Sequence, residues 1–302
     1  MAAFAFDVPC YKPIEGYRAI GGGVTFNRKL GYVDVSMRVP CGRCIGCKVE
    51  RSKMWAIRCM HESSLHKANC FLTLTYDPEH LPVNGSLNGK HLSGFIKRLR
   101  QHIKRNFPEN GPISYFGCGE YGDELSRPHY HAIIFNFDFP DKTFWKRTAA
   151  GHMLFTSSTV ERIWGHGAVY IGAVTYDSCA YVARYVLKKI TGDAAADHYA
   201  GKTPEFLRMS LRPAIGKRWI NKWNPETYPA DTVIMDGKEH KPPRYYDKQL
   251  RRNERDKHDD IKKARVRRAL QPDNFWNSTP ERLAVRETVA TARTQLKRRN
   301  LE

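Results

Sequence analysis

The stretch Arg127-Pro128-His129-Tyr130-His131-Ala132-Ile133-Ile134-Phe135 constrains this chain more than any other. Its apolar run reads as a buried strand, opened by two histidines two residues apart. Alternate side chains share a face along a strand, so His129 and His131 aim two imidazoles at one point while Tyr130 faces away. Residues 113–120 read as a preceding strand, and Tyr121-Gly122-Asp123-Glu124-Leu125-Ser126 as a polar, glycine-containing hairpin loop. Antiparallel pairing sets Glu120 close to opposite His129, on the face of both histidines; a shifted register would bring Asp123 or Glu124 instead. Two imidazole nitrogens and one carboxylate make an open site for a divalent cation, not a closed structural one.

With 302 residues, 41% hydrophobic and 27% charged, the chain has material for one large or two modest domains. A net charge of +19 and a pI near 9.6 favour a polyanionic partner, nucleic acid first. A membrane surface is the rival, but there is no long apolar run and no signal-peptide pattern opens the chain, so a soluble, intracellular protein is expected. In that compartment eight cysteines point to thiols or metal rather than disulfides.

Taken in order, residues 1–40 read as an irregular N-terminal arm with glycines at 21–23 and short β-prone pieces. Cys41, Cys44 and Cys47 follow at a spacing that lets thiolates share a structural zinc ion, with Cys10 as candidate fourth ligand. Residues 48–66 read as a helix, 69–76 as a strand stopped by Asp77-Pro78, and 88–106 as a helix with a basic face that can track phosphates. Residues 141–164 read as loop-rich, with a short helix near 160–164. A further strand over 168–174 precedes a helix over 179–190, with Asp177 or Ser178 as cap. Past residue 192 the composition turns basic and aromatic, with helical runs at 247–270 and 279–300. The chain thus divides into an N-terminal arm with cysteine cluster and helix (1–66), a core (67–192) and a basic C-terminal region (193–302) suited to origin DNA.

Tyr181, Tyr185 and Lys188 stand at i, i+4 and i+7, on one helical face. A phenol with a pKa about 10 is a weak nucleophile near neutral pH, but a cation on the scissile phosphate can answer this from the other side. The product would be a 5′-phosphotyrosine ester and a free 3′-hydroxyl, and two tyrosines would allow a second attack while the first holds an end.

Three blocks, Phe71-Leu72-Thr73-Leu74-Thr75-Tyr76, Gly119-Glu120-Tyr121-Gly122 with Arg127-Pro128-His129-Tyr130-His131, and the helix 181–188, stand in the order of the motifs of HUH rolling-circle replication initiators. The chain most resembles those of gokushovirus-type microviruses, a likeness shared by residues 40–47, 55–62 and 241–246. The resemblance implies an α+β fold, an antiparallel sheet flanked by helices with the histidines on a central strand. It implies Mg²⁺ or Mn²⁺ on His129, His131 and Glu120, and Tyr181 and Tyr185 as alternating nucleophiles assisted by Lys188. Single-stranded DNA and origin duplex would be the substrates, in the cytoplasm of the bacterial host. A host DNA polymerase would extend the 3′-hydroxyl and a host helicase would unwind, since no P-loop is present. The rivals are an HUH transposase or relaxase, a metallonuclease using water, and a non-catalytic metal-containing DNA-binding protein.

Overall fold

The computed structural model describes residues 10–123, 125–184, 190 and 194–296. The chain forms two compact units: one contains the residues up to Met54 and those from Asn224 onward, the other Trp55–Trp223.

In the first unit, β1 (Ile14–Ala19), β2 (Val24–Thr25) and β3 (Gly31–Val39) form an antiparallel sheet in the order β2-β1-β3. The irregular arm expected here is therefore a small meander. Gly21, Gly22 and Gly23, at φ of +93°, +104° and +85°, carry the β1–β2 turn through backbone space that side chains disfavour. The strands were hard to read because Ile14, Val24, Val33 and Val35 stay exposed, which erases the buried-exposed alternation. Helix α1 (Ile45–Ser63) follows the cysteine cluster.

The second unit is built on a seven-stranded antiparallel sheet with helices against both faces. Its elements are β4 (Asn69–Leu74), α2 (Gly89–Asn106), β5 (Ser114–Tyr121), β6 (Pro128–Phe135), β7 (Thr143–Arg147), β8 (Met153–Thr156), α3 (Ser158–Trp164), β9 (Val169–Gly172), α4 (Tyr176–Ala183), α5 (Ala194–Tyr199) and β10 (Phe206–Met209). Strand order is β10-β5-β6-β4-β9-β8-β7. The β7–β8 hairpin replaces the loop expected before α3, and β10 supplies an edge strand from beyond the composition shift at residue 192.

Covering both faces explains the unbroken apolar run of β6. On one face Leu72, Leu74, Tyr130, Ala132 and Ile134 pack against Leu92, Phe95 and Leu99 of α2 and Trp164 of α3. On the other, Phe71, Phe116, Ile133 and Phe135 pack against Ala56 and Cys59 of α1 and Cys179–Ala183 of α4. Tyr130 faces away from the histidines, as expected. Its hydroxyl accepts from the Asn88 amide and donates to the Asn88 carbonyl, both at 2.9 Å, which anchors the start of α2. Arg98, on the basic face of α2, donates to the carbonyls of Ile163 and Trp164 at 2.7 and 2.9 Å and so closes the end of α3.

From residue 217 come α6 (Lys217–Ala230), the hairpin β11 (Val233–Met235) and β12 (Lys238–His240), then α7 (Arg244–Asn253), α8 (Arg255–Ala269), α9 (Pro272–Trp276) and α10 (Pro280–Leu296). The helical run expected over 247–270 is broken at Glu254, which leaves helical geometry at φ −141°, ψ 72°. Arg265 is held between Asp231 and Asp247, at 2.9 Å from each, and Tyr228 donates to Asp247 at 3.0 Å. No described helix is long and apolar enough to cross a membrane.

Candidate active site and thiol cluster

The register of β5 on β6 pairs Glu120 with His129 and Cys118 with His131, as the hairpin spacing predicts. Both histidines therefore turn toward one carboxylate: Nε2 of His129 and Nε2 of His131 each lie 3.2 Å from Glu120 Oε1. One ligand atom from each of the three residues falls within 4.8 Å of the others, so the group can hold a metal ion. Glu120 and His131 are buried, and His129 forms the more open side.

The other nitrogens of the two rings set their hydrogens. Nδ1 of His129 lies 3.2 Å from the Arg127 carbonyl. A carbonyl only accepts, so Nδ1 carries the hydrogen and Nε2 of the neutral ring presents a lone pair to Glu120. Nδ1 of His131 meets the Thr73 hydroxyl at 3.1 Å, and the hydroxyl can accept in the same sense. This is the outer-shell pattern of metal-ligating histidines, so the donor set fits a divalent cation. Burial works to raise the Glu120 pKa, but hydrogen bonds and charge from His129 and His131 outweigh it and hold the carboxyl well below the usual range.

Helix α4 brings the phenol. Thr175 caps it: its side chain accepts from the Ser178 amide while the Ser178 hydroxyl accepts from the Thr175 amide. The cap is thus Thr175 rather than Asp177 or Ser178, because Ser178 serves as the third helical residue of a capping box. Six residues on, Tyr181 donates its hydroxyl to Glu120 Oε1 at 2.9 Å and sets its ring edge-on to His131 at 4.8 Å. Tyr185 and Lys188 lie outside the described residues. Sequence reasoning missed the roles of Thr73 and Phe71, whose ring stacks 5.5 Å from His131. Thr73 carries a usable signal: it is a polar residue between Leu72 and Leu74, which are both fully buried.

The comparisons agree with this geometry. The family described as replication-associated protein ORF2 matches residues 69–190, from β4 to just past α4. The chain is 36% identical over 252 residues to replication-associated protein VP4 of Bdellovibrio phage phiMH2K, covering 82% of this chain and 79% of the relative. The chain belongs to the replication-associated proteins of microvirus-type phages. Among those proteins it is also 36% identical to ORF2 of Spiroplasma virus 4, covering 78% of this chain and 74% of the relative. To ORF4 of Chlamydia phage 1 it is 28% identical, covering 72% and 54%. No solved structure matches the chain.

A second group of ligand-type side chains lies in the first unit of this replication-associated protein. Cys10, Cys41, Cys44 and Cys47 also bring their sulfurs within 4.8 Å of one another, and all eight cysteines are free. Backbone amides point at the sulfurs: Cys41 N–H at Cys10 Sγ (3.2 Å), Cys44 N–H at Cys41 Sγ (3.2 Å) and Tyr11 N–H at Cys44 Sγ (3.4 Å). Gly42, at φ +74°, makes the turn that folds Cys44 back on Cys41. Burial acts against the Cys44 thiolate, but amide hydrogen bonds from Cys47 and Tyr11 overcome it and lower that thiol to about 7.

Proposed function

We propose that the protein initiates rolling-circle replication, nicking phage DNA at the origin through a tyrosine and rejoining strand ends to circularise single-stranded genomes. The observation that carries this reading is the Tyr181 hydroxyl, hydrogen-bonded to the same Glu120 oxygen toward which both histidines turn. Glu120, His129 and His131 would hold Mg²⁺ or Mn²⁺, which would neutralise the scissile phosphate and polarise its phosphorus.

The chain's own residues then do the rest. Glu120 holds the phenol by its hydrogen and fixes where the oxygen points, and the edge-on packing of His131 limits the ring's swing. The Tyr181 oxygen bonds to phosphorus as the P–O3′ bond breaks. The 5′-phosphate becomes a tyrosine ester, and the 3′-oxygen leaves as a hydroxyl, gaining a proton equivalent to the one the phenol loses. One phosphodiester is exchanged for another, so the step runs backward to rejoin strands. Tyr185 as second nucleophile and Lys188 as a cation at the phosphate rest on their sequence positions. A host polymerase would extend the 3′-hydroxyl and a host helicase would displace the strand, in the bacterial cytoplasm. The basic C-terminal region would contact origin duplex.

The test is a cleavage assay on single-stranded origin DNA with Mn²⁺, comparing wild type with Tyr181→Phe, Tyr185→Phe, the double variant and His129→Ala. The expected result is a denaturant-resistant protein–DNA adduct that disappears in the double variant and in His129→Ala. Cleavage that survives the double variant, without an adduct, would make water the nucleophile. Binding without cleavage on any phage origin would leave a metal-containing DNA-binding protein.

We also read the four cysteines as a structural zinc site. Four converging sulfurs, with backbone N–H groups directed at three of them, suit a closed tetrahedral thiolate site without an open position for substrate.

A further inference from the structure

The sheet face that holds His131 continues toward the opposite edge. Register partners run from Cys118 through His131 and Thr73 to Tyr170, so these four side chains share one face across β5, β6, β4 and β9. Phe71 on the same face is 4% exposed beneath the helices, whereas Thr73 and Tyr170 are only half-buried. Strands lie ~4.8 Å apart, which places Tyr170 roughly 10 Å from His131 along an incompletely covered row.

At the end of that row stands an unusual residue of β7. The pairing of β7 with β8 slips between Phe144 and Lys146, so Trp145 is the extra residue of a bulge. Bulges re-aim side chains. Here the Trp145 ring stacks on Tyr170, with centroids 4.3 Å apart and planes at 20°, while Trp145 keeps 43% of its surface exposed. The Lys146 ammonium lies 4.3 Å from the centre of the Trp145 ring, and Arg147 follows. Beside the pair a cavity of about 270 Å³ opens, lined by Phe71, Arg147, His152, Phe155, Gly172 and Thr175.

Every residue of β7 is exposed, and an exposed aromatic edge strand invites pairing with another chain. This edge carries the devices that oppose such pairing, namely the bulge at Trp145 and the cations Lys142, Lys146 and Arg147. A second protein strand is therefore a poor occupant. An aromatic face flanked by cations suits single-stranded nucleic acid, whose bases stack without regard to sequence while its phosphates take the charge.

We propose that Trp145 and Tyr170 form a base-stacking platform for the single-stranded DNA, with Lys146 and Arg147 on its phosphates. The platform leads the strand along the sheet face to Glu120, His129 and His131. This rests on the reading of the protein as a DNA-nicking initiator, and its test separates the two. Binding of the full-length chain to a fluorescent oligothymidylate is followed by anisotropy in EDTA, which keeps binding apart from cleavage. Trp145→Ala should weaken binding on the order of ten-fold, and Trp145→Phe should keep most of the affinity. Lys146→Ala with Arg147→Ala should flatten the salt dependence by about 0.7 for each phosphate released. Thermal melting of each variant guards against misfolding, to which an exposed edge residue contributes little.

Affinity unchanged in a folded Trp145→Ala variant would overturn the platform even if wild type forms the adduct. Affinity lost in Trp145→Ala but kept in Trp145→Phe, with no adduct from wild type, would support the platform and sink the nicking reading. A Trp145→Ala variant that changes its sedimentation but not its oligonucleotide affinity would mark the edge as a protein interface and overturn the proposal.

Discussion

A hydroxyl on the neighbouring strand governs which nitrogen of His131 faces the carboxylate. Thr73 Oγ1 lies 3.1 Å from Nδ1, and accepting that hydrogen leaves Nε2 bare toward Glu120. Thr73→Val keeps the shape and removes the acceptor. It should lower Mn²⁺ affinity roughly 10- to 100-fold, the usual cost of losing an outer-shell partner, while the fold persists. Titration calorimetry checks this, and wild-type affinity in the variant would show that the ring holds its orientation without Thr73. Glu120, His129 and His131 were legible because strand period and a short hairpin loop fix who faces whom. Thr73 was not, because nothing local says which ring its hydroxyl meets 58 positions away.

Long periodic elements were legible, and elements whose side chains do not sort into wet and dry faces were not. Helix α2 starts after Asn88, as its apolar spacing requires, with the Asn88 side chain accepting from the Lys90 amide. The β7–β8 hairpin escaped because its bulge interrupts the alternation and β7 buries nothing. On α1, His61 stacks on Trp219 of α6 with ring centroids 3.5 Å apart and planes at 9°. Burial lowers its pKa to about 3. An unfolded histidine titrates near ~6.5, so between these values the unfolded chain binds the extra proton. Stability from this group is therefore full above about pH 6.5 and falls as the pH drops toward 3. His61→Phe keeps a ring on Trp219 and removes the titration. Its stability should vary less with pH over that window in urea melts; a slope equal to wild type would mean other groups set the acid response.

At the scale of the whole molecule, a charge of +19 stands beside a folded, two-unit architecture. The charge pointed to a polyanion before any site was visible, and family membership agrees with it. What composition could not supply was the pairing of Cys10 with a cluster more than thirty positions later. That approach depends on the three-stranded meander between them. If the cluster holds zinc, purified protein should carry about one ion per chain by elemental analysis. Cys44→Ser should lose it and melt lower, since structural zinc contributes folding free energy directly. A metal-free protein whose melting point ignores both chelator and Cys44→Ser would remove zinc from the account.

The central claim is that a phenol held against Glu120 becomes bonded to DNA. Arg184 falls between the two candidate tyrosines, so trypsin separates residues 163–184 from residues 185–188. Mass spectrometry of the adduct formed by the Tyr185→Phe variant should find the nucleotide on Tyr181, within the first peptide. A nucleotide on any other residue, or cleaved DNA with every peptide unmodified, would contradict the account.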